Sequence, residues 1–226
     1  MRFDDVAARL ASLPSRLPPP PAALVPVRVG ESAARPWAGS PRDGRPAAVL
    51  VLVVPDDDDE ARIVLTERTT GGRHHSGEIS FPGGRAEPED ADLVATALRE
   101  AAEEIGLRPA DAGLRVVGTL EPFWIPVSNY LVTPVVSVAA VRPSLVAAPD
   151  EVARIIEAPV GAFLGGAPIE IVERTIDDWT IRYGAYAVEG LLVWGATARI
   201  LGQLGALLAI DGNLETDGNL ADMTGV

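Results

Sequence analysis

"LREAAEEIGL", residues 98–107, places Glu100, Glu103 and Glu104 within five positions at the end of a segment that reads as a helix. Leu93, Ala97, Ala101 and Ile105 recur every four residues and, with Val94 and Leu98, make one apolar stripe. The pattern predicts a helix over about 91–105, stopped by Gly106 and Pro109. The glutamates stand at i, i+3 and i+4 on a neighbouring face, where like charges repel by a few tenths of a kcal/mol per pair. The helix dipole adds a similar penalty in the last turns. Two readings account for this crowding. One is a solvated face partly neutralised by Arg99 and Arg108. The other is a bound divalent cation, and three hard oxygen donors without His or Cys point to Mg²⁺ or Mn²⁺.

Composition narrows the chemistry. The 226 residues contain no Cys and no Lys, and only two His, adjacent at 74 and 75. Thiolate nucleophiles, disulfides, Schiff bases and a P-loop lysine are excluded, which leaves carboxylates and arginines. The formal charge of −13 argues against nucleic acid and anionic membranes as partners. An anionic substrate therefore needs the help of a cation. No apolar run approaches the length that spans a bilayer, and the start, with Asp4 and Asp5, lacks the order of a signal peptide, so the expected location is the cytoplasm.

Along the chain, residues 1–45 read as a short helix (2–13) followed by a Pro-rich arm, "LPPPPAALVP" (17–26), laid over a domain of residues 46–210. "AAVLVLVV" (47–54) is apolar enough to be a central strand, and "RIVLTER" (62–68) returns beside it across a solvated "PDDDDEA" turn. "ISF", a "PGG" turn and an acidic loop precede the glutamate helix. Strands are expected near 114–121, 130–139, 169–175 and 179–183, with helices opening at "PDEVARIIE" and covering about 189–209. "DGNL" occurs twice in residues 211–226, which read as a flexible tail. Strands and helices mix without a regular period, so the expected class is α+β, or a mixed-sheet α/β sandwich.

"GGRAEPEDADLVATALREAAEEIGL" (83–107) resembles the Nudix box, G-x5-E-x7-R-E-U-x-E-E-x-G-U with U apolar. Arg99, Glu100, Ala101, Glu103, Glu104, Gly106 and Leu107 fill its second half; Gly84 lies 15 residues before Arg99 rather than 14, so the loop is one residue longer. The first Glu of the box is then most nearly matched by Asp90 or Glu89. The resemblance implies a Nudix fold, a mixed β-sheet between α-helices, and hydrolysis of a nucleoside diphosphate linked to another moiety. It implies Glu100, Glu103 and Glu104 as ligands of Mg²⁺ or Mn²⁺, with the Gly84 carbonyl as a further one, and Arg99 pairing with the loop carboxylate. Such a metal polarises the diphosphate and activates a water for attack on phosphorus.

"IVLTERTTGGRHHSGEISFPGG" (63–84) and "VWGATARIL" (193–201) further resemble the coenzyme A pyrophosphatase branch of that family. This implies cleavage of coenzyme A or its thioesters to 3′,5′-ADP and 4′-phosphopantetheine, with Arg68, Arg73 and His75 offered to phosphates, and a homodimer. Each of these three also has an ordinary role as an ion-pair or loop residue. Gly83 and Gly84 let backbone approach the metal. "FWIPVSNY" (123–130) departs from the branch and keeps ADP-ribose, NADH or a non-catalytic nucleotide-binding module open as alternatives. Phe123, Trp124 and Tyr130 there serve either an adenine ring or packing. The water-activating base is open among Glu100, Glu121 and Glu151, the last of which also suits a helix start.

Overall fold

The computed structural model describes residues 1–29, 35–36, 43–69, 77–126, 128–176 and 179–209. Its centre is β3 (Arg45–Pro55), a run of β-branched and apolar residues buried on both faces. Parallel to it lies β9 (Tyr130–Ala139), with Arg45–Val53 alongside Tyr130–Val138. On its other side β3 meets two strands in succession: β6 (Gly83–Arg85) against Ala47–Val49, and β4 (Ala61–Arg68) against Val53–Pro55. β7 (Leu114–Thr119) and β8 (Phe123–Ile125) pair with β9, β5 (Ile79–Ser80) pairs with β4, and β10 (Val152–Pro159) completes the sheet on β4.

Because successive strand residues face opposite ways, β3 feeds two cores. Ala48, Leu50, Leu52 and Val54 meet Ala97, Ala101 and Ile105 of helix α2 (Leu93–Ile105). Val51 and Val53 meet α1 (Phe3–Arg9) and α3 (Gly195–Leu208) through Val6, Leu201 and Leu204. A second, antiparallel sheet of β1 (Val27–Val29), β2 (Arg35–Pro36), β11 (Glu170–Ile176), β12 (Trp179–Val188) and β13 (Leu191–Trp194) joins the two ends of the chain. Leu24 is buried in the α3 cluster, and the Gln203 Nε2 donates to the Pro18 carbonyl at 3.0 Å, tying the Pro-rich arm to α3.

The α+β class agrees with the structure, but five local expectations do not. "PDEVARIIE" forms a turn and then strand β10, not a helix: its buried residues Val152, Ile156 and Ala158 fit β-strand spacing, and β4 offers it a free edge. The last helix begins only at Gly195, since residues 191–194 return as a hairpin strand on β12. β12 itself runs on to Val188. The "PGG" stretch is not only a turn, for Gly83 and Gly84 already pair with β3, and α1 ends at Arg9 rather than residue 13. The tail from 210 onward lies outside the described residues.

Candidate active site

Helix α2 starts at Asp92, whose carboxylate accepts from the Ala95 N–H at 2.8 Å, and ends at Gly106 in the left-handed region (φ 64°). Its last carbonyls are capped by a neighbouring loop: the Val146 N–H donates to the Ile105 carbonyl and the Ala148 N–H to the Glu104 carbonyl, both at 2.9 Å. This docking carries the Pro149–Glu151 turn to the glutamate end of the helix.

Glu104 is buried, only 4% exposed, and its Oε2 accepts the Gly83 N–H at 3.1 Å. Burial pushes its carboxyl up to about 7, against the help of that N–H and of the Arg68 charge; Glu100 and Glu151 push it further. Glu100 is raised as well, first by burial, with Glu103 and Glu151 adding to the effect and Arg99 opposing it. Glu103 is 59% exposed and pairs with Arg99 Nη1 at 3.0 Å, while Arg99 Nη2 lies 3.0 Å from Glu100.

Arg99 also clamps the loop before the helix. Its Nε and Nη2 donate to Asp90 at 3.0 and 3.2 Å, and Nη2 reaches the Arg85 carbonyl at 3.1 Å. Asp90 accepts as well from the Glu87 N–H and the Thr96 hydroxyl, both at 2.9 Å. These donors, Arg99 first, hold the Asp90 carboxyl well below the usual carboxylate range. Of the two loop acids the sequence left open, Asp90 is the one joined to Arg99.

The paired glycines are required by space. A Cβ on Gly83 (φ 155°) would lie 2.4 Å from the Ala48 carbonyl oxygen, and one on Gly84 would lie 2.5 Å from the Glu100 Oε1. The Gly84 backbone therefore presses directly on a candidate ligand carboxylate.

Arg68 ends β4, exposed, with its charge felt at Glu104. Glu151 sits in the turn before β10, exposed, with its charge felt at both Glu100 and Glu104. Glu121 lies elsewhere, within reach of the Arg199 charge. Arg73 and His75 lie outside the described residues. Of the three aromatics, Trp124 donates to Asn129 Oδ1 at 3.0 Å, Tyr130 lies under Arg45 at 4.4 Å, and Phe123 lies under Arg199 at 4.7 Å. Arg199 lies within the stretch 193–201 quoted from the sequence but was given no role there; its signal was a single charged residue in an otherwise uncharged helix.

Among the described residues, no three His, Cys, Asp or Glu side chains already converge as a metal cage, because Arg99 holds Glu100 and Glu103 in ion pairs. The donor set nevertheless fits a hard divalent cation. Glu100, Glu104 and Glu151 crowd one another with a single nearby cation, Arg68, as relief for Glu104, and the Gly84 backbone leaves open the space a side chain would fill against Glu100. Glu100 and Glu103 would both exchange an Arg99 contact for the ion.

A sheet flanked by helices carries a glycine-edged acidic helix end on one side, a candidate site built of carboxylates. The chain belongs to the Nudix family, since the NUDIX domain matches residues 44–157, and it is a hydrolase. It is 37% identical over 132 residues to the protein named "Uncharacterized Nudix hydrolase NudL" of Photorhabdus laumondii, covering 58% of this chain and 69% of that one. It is 36% identical over 141 residues to the protein of the same name from Citrobacter koseri, covering 61% and 70%. Among solved structures it resembles the Nudix hydrolase RenU of M. smegmatis, with TM-score 0.44 and 23% identity over 60% of this chain and 80% of that one. No helix of the described residues is long and apolar enough to cross a membrane.

Proposed function

We propose that this Nudix hydrolase cuts the diphosphate of coenzyme A or its thioesters, releasing 3′,5′-ADP and 4′-phosphopantetheine or its acyl form, with Mg²⁺ or Mn²⁺ as cofactor. The observation that carries the catalytic part is the burial of Glu104 against Gly83 beside Glu100 and Glu151. A divalent ion bound there supplies charge for the phosphate oxygens and lowers the pKa of a water. Glu100, Glu103, Glu104 and the Gly84 carbonyl are its ligands in this reading. Asp90 and Arg99 keep the Gly84 loop on the helix. Arg68, beside the cluster, meets a phosphate oxygen, and Arg73 and His75 extend the same role in sequence. Glu151, exposed at the cluster, takes the proton of the attacking water; Glu100 is its rival for that step.

The choice of coenzyme A rests on residues 63–84 and 193–201 of the sequence. Incubation with coenzyme A, ADP-ribose and NADH in Mg²⁺ or Mn²⁺, with products separated by anion exchange, tests it. The reading expects adenosine 3′,5′-bisphosphate from coenzyme A, at a higher kcat/KM than for the other two. Turnover of ADP-ribose or NADH alone would reassign the substrate.

A further inference from the structure

Arg199 is the single charged residue of α3 and lies outside residues 44–157, the segment matched to the family. Its guanidinium carbon stands 4.7 Å above the centre of the Phe123 ring. Among the described residues three arginines are half-buried: Arg62, Arg99 and Arg199. The first two are in ion pairs with Asp56 and Asp90. Arg199 has neither an ion pair nor a hydrogen bond among the described residues. Burial lowers its pKa; the Glu121 charge opposes this without an ion pair or hydrogen bond between the two. In a chain with 32 acidic residues, leaving a half-buried cation unpaired costs stability that a nearby carboxylate would remove.

Strand register shows where this cation stands. Phe123 pairs with Val132, Val132 with Ala47, and Ala47 with Arg85, the residue after Gly84. One row thus runs across β8, β9, β3 and β6 on the face that α3 covers, three strand spacings or about 14 Å from Arg85 to Phe123, and Gly84 faces Glu100 on the other side of the sheet at the Arg85 end. Tyr130, two residues before Val132 and so on the same face, carries Arg45 at 4.4 Å; Arg45 donates to the Ser128 carbonyl and has no carboxylate partner among the described residues. Across the sheet at the β6 end the glutamates repel an anion, while the β8 end offers two guanidinium groups backed by aromatic rings.

We propose that Arg199, held on Phe123, binds a phosphate of the substrate other than the two joined by the bond that is cut. Resting on the coenzyme A reading, that group is the 3′-phosphomonoester, and Arg199 is a specificity residue that selects phosphorylated over dephosphorylated nucleotide halves. A guanidinium presents paired N–H donors to phosphate oxygens, and its flat face remains stacked while it does so.

The test measures kcat/KM for coenzyme A and for dephospho-coenzyme A with the full chain in Mg²⁺, in the parent, Arg199→Met and Arg199→Lys. The parent should prefer coenzyme A, and Arg199→Met should reduce that preference by about 10- to 100-fold, chiefly through KM, the loss expected for one charge-assisted contact. Arg199→Lys should restore part of it. An equal fall for both substrates, or no change in their ratio, overturns the proposal. If the parent cuts neither compound, the coenzyme A reading has failed, and the subsite is read by thermal shift with 3′,5′-ADP against 5′-AMP. A larger shift for the bisphosphate that vanishes in Arg199→Met supports the subsite; equal shifts in the parent overturn it.

Discussion

Helices α2 and α3 cover opposite faces of one sheet, and they treat charge in opposite ways. α2 meets the sheet through small side chains, Ala97 and Ala101, and through Ile105, which brings its backbone close and leaves its last two turns to three glutamates. One of these, Glu104, is driven into the protein as a carboxylate that solvent would hold at lower energy. α3 is apolar nearly all round and is roofed by the second sheet and the arm, with a single arginine that finds an aromatic ring rather than an acid. One face therefore crowds negative charge that Arg99 and Arg68 relieve only in part, and the other keeps a cation without an acid partner among the described residues. A protein selected for stability alone would have paired such charges; in the proposed reading, an anionic substrate delivered with a cation relieves both.

The largest expected effect removes the negative side of this contrast. Losing a ligand that holds a charge-stabilising ion forfeits several kcal/mol of transition-state stabilisation, so Glu103→Gln should lower kcat by about 10³-fold, at roughly 1.4 kcal/mol per tenfold. Steady-state rates with saturating metal check this, and a fall below about tenfold would remove Glu103 from the ligand set. Glu104→Gln should be equally inactive and yet more stable than the parent, by about 1–3 kcal/mol in chelator at pH 8, because a buried uncompensated charge is gone. Denaturant melts measure it. A loss of stability instead would mean that the Gly83 N–H and Arg68 already compensate that charge.

The α2 side was legible because its signals are local. A four-residue apolar recurrence, Gly106 and a dense acidic run all lie within one helix, and strand β3 announced itself by being apolar on both faces. What the sequence hid was decided by partners far away. Val152–Pro159 carries both a helix-start signal, Asp150 and Glu151, and β-branched residues at 152, 155 and 156; the unpaired edge of β4, more than eighty residues upstream, settles it as a strand. The true start of α3 was obscured because 191–194 is as apolar as the helix that follows. The pair Glu189–Gly190, both with positive φ (51° and 78°), was the available sign of a two-residue hairpin. The extra loop residue left Glu89 and Asp90 equivalent on paper; hydrogen bonds from Thr96 and the Glu87 N–H select Asp90.

The two glycines sharpen the contrast by separating scaffold from site. A Cβ on Gly83 meets backbone, the Ala48 carbonyl, which cannot move without breaking the β3 and β6 pairing. Gly83→Ala should therefore lose about 1–3 kcal/mol of stability or more. A Cβ on Gly84 meets the end of a flexible side chain, Glu100, so Gly84→Ala should melt near the parent temperature while losing most of its turnover. Equal melting losses for the two would show that Glu100 is as rigidly held as the strand.

Asp90→Asn tests the clamp rather than the ligands. Partners that orient a metal site typically contribute 10- to 100-fold, and turnover should fall within about that range. The carboxyl is depressed in the folded protein, so its stabilising pairing is complete above its unfolded pKa of about 3.9 and is lost only as pH falls through the lower folded value. The stability gap between parent and Asp90→Asn should hold from pH 7 to about 5 and narrow progressively below 4. A gap that is independent of pH through this acid range would show that Arg99 does not depend on the Asp90 charge.

The smallest effect lies under α2, in the core that its apolar stripe covers. Ser137 is fully buried on β9, opposite Leu52, and its hydroxyl is the one buried side-chain polar atom without a hydrogen-bond partner among the described residues. An unsatisfied hydroxyl costs desolvation and returns nothing, and removing one oxygen leaves only a small void, so Ser137→Ala should gain up to about 1 kcal/mol. Because the site residues are untouched, kcat should stay at the parent value. The gain should add to that of Glu104→Gln within about 0.5 kcal/mol if the two groups share no partner. A double variant falling well short of the sum would mean that the orphan hydroxyl and the buried glutamate are coupled through the core that α2 covers, and that the cost of charge on this face is spread into the sheet rather than confined to the helix end.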